Sequence, residues 1–289
     1  MTYFYLAMAM TFSATITIGG KLYNIRSKSF ENVSGFYNML VPAFASLGWL
    51  VLWVADFSFD AKVLPYSLLY GVLYSCFTIG MLGALSVGST SLTALVKQLA
   101  LVGVSAWGFV FWGTKLTFVS VLGIIFIVLS LALCLITREE KKKKQNTLKW
   151  LFFATLVVIG NAGCSIIQRY QQMAFGYEHK NMLMFFGLLF STAVCAVIAM
   201  RENKKNWGKA FRSSWFCPAL TGLSSALSNT FILLLIKYKM SSSIIYPGVA
   251  VGGLIITILI SLAFFGEKLR KMQWLGIAVG AVALVLLNL

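Results

Sequence analysis

The sequence predicts an all-α integral membrane protein in which ten transmembrane helices form two inverted five-helix repeats around a central cavity. Three observations predict it: a composition too apolar for a soluble domain, ten apolar runs of spanning length, and a match between the two halves at a fixed offset. Of 289 residues, 59% are hydrophobic and 11% are charged, against about 45–50% and about 25% in ordinary globular chains. Lipid is therefore the solvent for most of the chain. A formal charge of +16 would by itself suit a nucleic-acid binder, but so apolar a chain has no soluble domain to present a basic groove.

A spanning helix needs roughly 20 mostly apolar residues. Such runs cover 3–22, 34–54, 64–85, 90–112 and 118–136, then 148–167, 182–200, 215–236, 242–265 and 272–289. No basic segment precedes the first run, so it reads as a mature helix rather than a cleaved signal peptide. The connections are too short for an extramembrane domain. The expected organisation is a first repeat over 1–137, a basic linker over 138–147 and a second repeat over 148–289.

Lys and Arg counts in alternate connections give the orientation. Seventeen of the 24 follow spans 1, 3, 5, 7 and 9, among them Arg138 and Lys141 to Lys144, and six lie on the other side. That bias places the basic linker in the cytoplasm and both termini outside, in a multi-pass protein of the bacterial inner (plasma) membrane. The remaining basic residue, Lys97, lies inside span 4. Cys76, Cys134, Cys164, Cys195 and Cys217 form no C-x-x-C pair and so suggest neither a zinc site nor a disulfide framework. No cofactor is expected.

The repeat appears at an offset of 153 residues. Gly113, Lys115, Leu116, Leu122, Gly123 and Ile124 coincide with Gly266, Lys268, Leu269, Leu275, Gly276 and Ile277, without a gap. Each half is thus a five-helix unit ending in the same turn and helix. Because five is odd, the second unit enters the membrane from the opposite face, the arrangement that underlies alternating access in many transporters. The ten-span plan, the G-x-K-L turn before each final Leu-Gly-Ile helix, and Gly266-Glu267-Lys268-Leu269 resemble the drug/metabolite transporter superfamily, EamA-like branch. The resemblance implies a ten-helix basket with spans 1, 3, 4, 6, 8 and 9 around a cavity that moves small organic solutes. One departure is that Pro247 in span 9, which resembles the family's mid-repeat proline, corresponds at the same offset to Ala94 in span 4, which predicts a straighter span 4.

Charged side chains in hydrocarbon are costly, so each deep ionisable residue is a functional candidate. Lys97, followed by Gln98, is the one such candidate. It could offer a cation to a substrate carboxylate or phosphate, release a proton during transport, or snorkel toward the nearer interface. No Asp or Glu lies deep in a span, which disfavours a cationic substrate. Neutral polar residues recur at helical spacing: Asn161, Ser165 and Gln168; Tyr70, Tyr74 and Thr78; Ser225, Ser228 and Asn229; Thr11 and Thr15. Ser241 to Ser243 and Tyr246 precede Pro247. Such stripes mark cavity faces or bridge packed helices.

Trp49, Trp53, Trp112, Trp150, Trp207, Trp215 and Trp274 lie near span ends as expected for interfacial anchors, whereas Trp107 is deep enough to face the cavity. Gly276 and Gly280 give a small-x-x-x-small face for helix packing or for a homodimer. His179 reads as a solvated loop residue. Glu267 either pairs with basic neighbours during closure, or is simply solvated or caps the last helix.

These features predict a non-enzymatic secondary transporter of a small polar or amphipathic, amino-acid-like metabolite. The expected substrate-binding residues are Lys97, Gln98, Tyr70, Tyr74, Trp107, Asn161, Ser165, Asn229 and Tyr246. An anion or phosphorylated-metabolite exchanger is the alternative; a membrane scaffold would need large loops, and an intramembrane enzyme would need a deep nucleophile or metal cluster. The expected partners are a small-molecule substrate and the lipid bilayer, with no nucleic acid, in a monomer or a homodimer.

Overall fold

A computed structural model describes residues 2–28, 33–113, 117–136, 144–176, 178–201, 206–238, 240, 242–267 and 269–286. Arg138 to Lys143, Lys115, Leu116 and Lys268 of the repeated turn, Lys204, Lys205, Lys239 and Ser241 lie outside the described residues, as do the side chains of Cys134, Lys144, Lys237, Ser242, Ser243, Tyr246 and Pro247. Among the described residues the chain is all-helical, with no strand. The helices are α1 (Thr2–Arg26), α2 (Ser34–Ala55), α3 (Leu64–Val87), α4 (Thr90–Gln98), α5 (Ala100–Phe111), α6 (Phe118–Ile136), α7 (Lys144–Ala174), α8 (Lys180–Ala199), α9 (Trp207–Ser214), α10 (Phe216–Lys237), α11 (Ser242–Phe264) and α12 (Lys271–Leu286). Among those residues five helical segments are long and apolar enough to cross a membrane: Ser34–Ala55, Ala61–Val87, Thr90–Phe111, Thr147–Ala174 and Lys180–Ala199.

The helices pack in pairs distant in sequence. The main partners are α3 with α7, α1 with α10, α2 with α8 and α6 with α12, followed by α3 with α8, α10 with α2, α1 with α11 and α5 with α7. Small residues set the closest crossings. A Cβ at Gly160 in α7 would lie 2.5 Å from the Phe77 amide nitrogen and 2.7 Å from the Leu73 carbonyl of α3, so those two helices meet backbone to backbone. Around that crossing Trp49, Tyr70, Tyr74, Phe77 and Trp150 join one buried cluster.

Several sequence expectations are corrected. Span 4 is not straight: it breaks at Leu99, which ends α4 and precedes α5. Leu99 N donates to Val96 O and Val102 N to Leu99 O, both at 3.0 Å, and these three-residue bonds tighten the chain locally without a proline. The helix carrying Pro247, α11, runs through that position. Trp49 and Trp150 are 2% exposed, so they are core residues rather than interfacial anchors. The Trp150 indole donates to Thr93 Oγ1 at 3.4 Å. Trp215 and Trp274 do face outward.

Gly276 and Gly280 are consumed inside the chain rather than at a dimer face. Ser130 of α6 donates to the Gly276 carbonyl, and a Cβ on Gly280 would meet Ser130 Oγ at 2.7 Å. Gly113 and Gly266, the paired turn glycines, both adopt the left-handed conformation, with φ of 63° and 60°. That conformation costs a residue with a side chain about 1–2 kcal/mol, which explains glycine at both. His179 is not a freely solvated loop residue: it adopts φ 57° just before α8, and its ring packs edge-on against Phe175.

Candidate functional site

The break at Leu99 ends α4 inside the bundle and leaves Lys97 in its last turn. At the other end of α4, Ser89 caps the helix by accepting a bond from Leu92 N at 3.3 Å. Lys97 is buried and does not snorkel outward. Its ammonium crosses to α1 and donates to the Ser13 carbonyl at 3.0 Å and to Ser13 Oγ at 3.2 Å. From α7, the Asn161 amide nitrogen donates to the Lys97 carbonyl at 3.1 Å, tying the broken segment to a third helix.

These contacts form one wall of a cavity of about 210 Å³ lined from α1, α3, α4, α7, α10 and α11. Lys97, Gln98, Tyr70, Tyr74, Asn161, Ser165 and Asn229, predicted from separate stretches of sequence, all line it. The Tyr70 and Tyr74 rings lie parallel within 19°, with centroids 5.9 Å apart, and the Tyr74 hydroxyl is 3.4 Å from Ser225 Oγ. Asn229 Nδ2 donates to the Ser225 carbonyl at 2.8 Å. Ser165 Oγ donates to the Asn161 carbonyl at 3.2 Å.

One expected residue with a described side chain is not part of this lining. Trp107 points away from it: its indole donates to the Tyr170 hydroxyl at 3.1 Å and its ring stacks on Phe111. The Tyr246 side chain lies outside the described residues. Thr11 and Thr15 also fall away: neither lines the cavity, and Thr11 is exposed on the outer side of α1, each hydroxyl donating to a carbonyl four residues back on its own helix. Ser13, between them on another face of α1, is the residue that meets Lys97; the threonine stripe pointed to the right helix but the wrong face. Cys164, read as a packing residue, lines the cavity as well.

Glu267 links the turn before α12 to the start of α4. Its carboxylate accepts from Thr90 N at 2.6 Å, from Ser91 N at 3.3 Å and from Ser91 Oγ at 3.1 Å, and Lys21 Nζ lies 4.0 Å away. Glu267 therefore caps α4, not the helix that follows it. The chemical reason is that the first amides of a helix lack intrahelical acceptors and carry the positive end of its dipole. Asn24 of α1 donates to the Leu82 carbonyl of α3 at 3.0 Å. Among the described residues, no group of three or more His, Cys, Asp or Glu side chains could hold a metal ion.

No family model matches the chain. A stretch of 93 residues is 33% identical to the probable 4-amino-4-deoxy-L-arabinose-phosphoundecaprenol flippase subunit ArnE of Pseudomonas fluorescens (strain Pf0-1), covering 32% of this chain and 78% of that protein. The fold as a whole is similar to that of a protein of known crystal structure, with a TM-score of 0.63 at 13% identity over 96% of each chain. With its apolar helices and this relative, the chain is a multi-pass integral membrane protein and belongs to the DMT-like membrane proteins, the drug/metabolite transporter type of transporters and flippases.

Proposed function

We propose that the chain is a secondary transporter that moves a small polar or amphipathic metabolite, of about amino-acid size, by alternating access. The observation that carries this reading is the cavity itself. A lysine, amides, hydroxyls and two tyrosines converge there from five helices, at a depth where burial of polar groups is costly unless they have work to do.

The reading includes ten spans, with α4 and α5 together forming the fourth and α7 the sixth, in repeats over 1–137 and 148–289 joined by a cytoplasmic basic linker. The packing pattern supports it. Exchange α1 for α7, α2 for α8, α3 for α10, α4 and α5 for α11, and α6 for α12. The pair α1 with α10 then becomes α7 with α3, α3 with α8 becomes α10 with α2, and α1 with α11 becomes α7 with α5, each a main contact of the fold. The left-handed turn glycines, Gly113 and Gly266, also correspond under this exchange. Two such halves can trade conformations and turn a cavity from one side to the other. The termini are outside and the membrane is the bacterial inner membrane in this reading.

Within the cavity, Lys97 meets an anionic group of the substrate, Asn161 and Asn229 hydrogen-bond its polar parts, and Tyr70 and Tyr74 cover its body. The alternative of a phosphorylated-metabolite exchanger calls for a second cation. Arg169 does not supply it, because its guanidinium lies over the Trp112 ring, 4.7 Å from the centroid. Uptake into proteoliposomes by the purified protein tests the proposal. Movement of a solute among organic acids, amino acids, sugars and nucleosides is expected, and a folded, reconstituted protein that moves none of them refutes it.

A further inference from the structure

The charge inventory of the cavity narrows the substrate class, an inference that rests on the transporter reading above. We infer that the cavity takes a small hydroxylated monocarboxylate: one carboxylate, neutral hydroxyl donors and no cationic group.

The first step is net charge. Among the residues that line the cavity, Lys97 is the one basic residue and none is acidic. None of the eight Asp and Glu in the sequence falls inside an apolar run, and none of those among the described residues lines the cavity. The two acceptors of the Lys97 ammonium, the Ser13 carbonyl and hydroxyl, are both neutral. A buried ammonium held by neutral groups keeps its charge uncompensated, and a ligand carboxylate supplies the missing partner as a charge-assisted hydrogen bond. A monoanion brings site and ligand together to zero. A zwitterion leaves the site positive, and a phosphate monoester, with roughly −1.5 to −2 charges, leaves it negative.

The second step is the direction of the amides. Asn161 and Asn229 each spend their amide nitrogen on a backbone carbonyl, that of Lys97 and that of Ser225. Because a carbonyl can only accept, both side-chain orientations are fixed. Their Oδ1 atoms receive no donor among the described residues, so the wall offers acceptors. Ligand hydroxyls match acceptors.

The third step is shape. The stacked Tyr70 and Tyr74 rings give a flat apolar surface beside the polar wall. A cavity of about 210 Å³ suits a compact acid.

Matched pairs of hydroxy acid and amino acid, differing only in hydroxyl against ammonium on the α-carbon, isolate the charge argument. Thermal shifts of the purified full-length protein are recorded with lactate and alanine, glycerate and serine, and phenyllactate and phenylalanine. At least one hydroxy acid is expected to stabilise the protein at a concentration at least tenfold below that of its amino-acid counterpart. Lys97→Met, monodisperse and helical, is expected to lose that response. Should Lys97→Met not fold, the wild-type pairs and protection of Cys164 from thiol reagents by the hydroxy acid decide. Equal or better binding of the amino acids overturns this inference, as does an unchanged preference in Lys97→Met. If sugars, nucleosides or amino acids are transported while hydroxy acids neither bind nor move, this inference fails and the transporter reading stands; if no solute binds or moves, both fail.

Discussion

Replacing Glu267 by alanine removes three hydrogen-bond acceptances at the start of α4, from Thr90 N, Ser91 N and Ser91 Oγ. The loss of a helix cap costs about 0.5–2 kcal/mol, and the loss of a negative charge at a helix N-terminus about 0.3–1 kcal/mol. Lys21, at 4.0 Å, is at the outer limit of ion-pair distance and adds little. The Glu267 side chain is 12% exposed, so water replaces the carboxylate poorly, and the expected destabilisation of Glu267→Ala is about 2 kcal/mol. Glu267→Gln keeps one acceptor oxygen and loses the charge, and should cost about half as much. Equilibrium unfolding in mixed micelles, followed by helical circular dichroism, measures both. A Glu267→Ala protein within about 0.5 kcal/mol of wild type, or a glutamine variant as damaged as the alanine one, would refute the assignment of Glu267 as the cap of α4.

Glycine substitutions should separate by what a Cβ meets. Gly160→Ala places it 2.5 Å from the Phe77 amide and is expected to cost about 3 kcal/mol, the upper end for overpacking, or to prevent folding. Gly208→Ala meets nothing within 4 Å and should be neutral or gain up to about 1 kcal/mol from helix propensity; thermal melts in detergent compare the two. In a protein whose other cysteines are replaced by serine, Cys164 should react with small thiol reagents at least threefold more slowly when a cavity ligand is bound, and equal rates would place Cys164 away from the ligand. Trp107→Phe removes the bond to Tyr170, and neither residue lines the cavity, so transport affinity should stay within about twofold; a larger loss would return Trp107 to the site.

The parts of the site legible in the sequence were those that announce themselves by cost. A lysine in hydrocarbon is expensive wherever it points, so Lys97 stands out without a structure. Asn161 and Ser165 stand out because four residues bring a helix back to nearly the same face. What periodicity does not report is which face looks inward. Thr11 and Thr15 share a face of α1, yet their hydroxyls fold back onto their own helix while Ser13 turns to Lys97. The break at Leu99 carries no Pro or Gly to mark it; it is held by tertiary bonds such as that from Asn161, which local sequence does not encode. Glu267 was visible as part of a turn, but its partners lie 176 and 177 residues away, beyond any local pattern. Trp49 and Trp150 sit near span ends in the sequence and yet are enclosed by neighbouring helices, because position along a span does not specify which side of the helix faces lipid.

The central claim is that solute crosses the membrane through the cavity around Lys97. Counterflow in proteoliposomes tests it most directly: vesicles preloaded with a solute that stabilises the purified protein are diluted into a trace of the same solute in labelled form. Transient accumulation of label is expected inside vesicles containing the wild-type chain, and its loss in an equally reconstituted, folded Lys97→Met chain. Accumulation unaffected by that substitution would place the pathway elsewhere, and a stabilising solute that never accumulates would contradict transport itself.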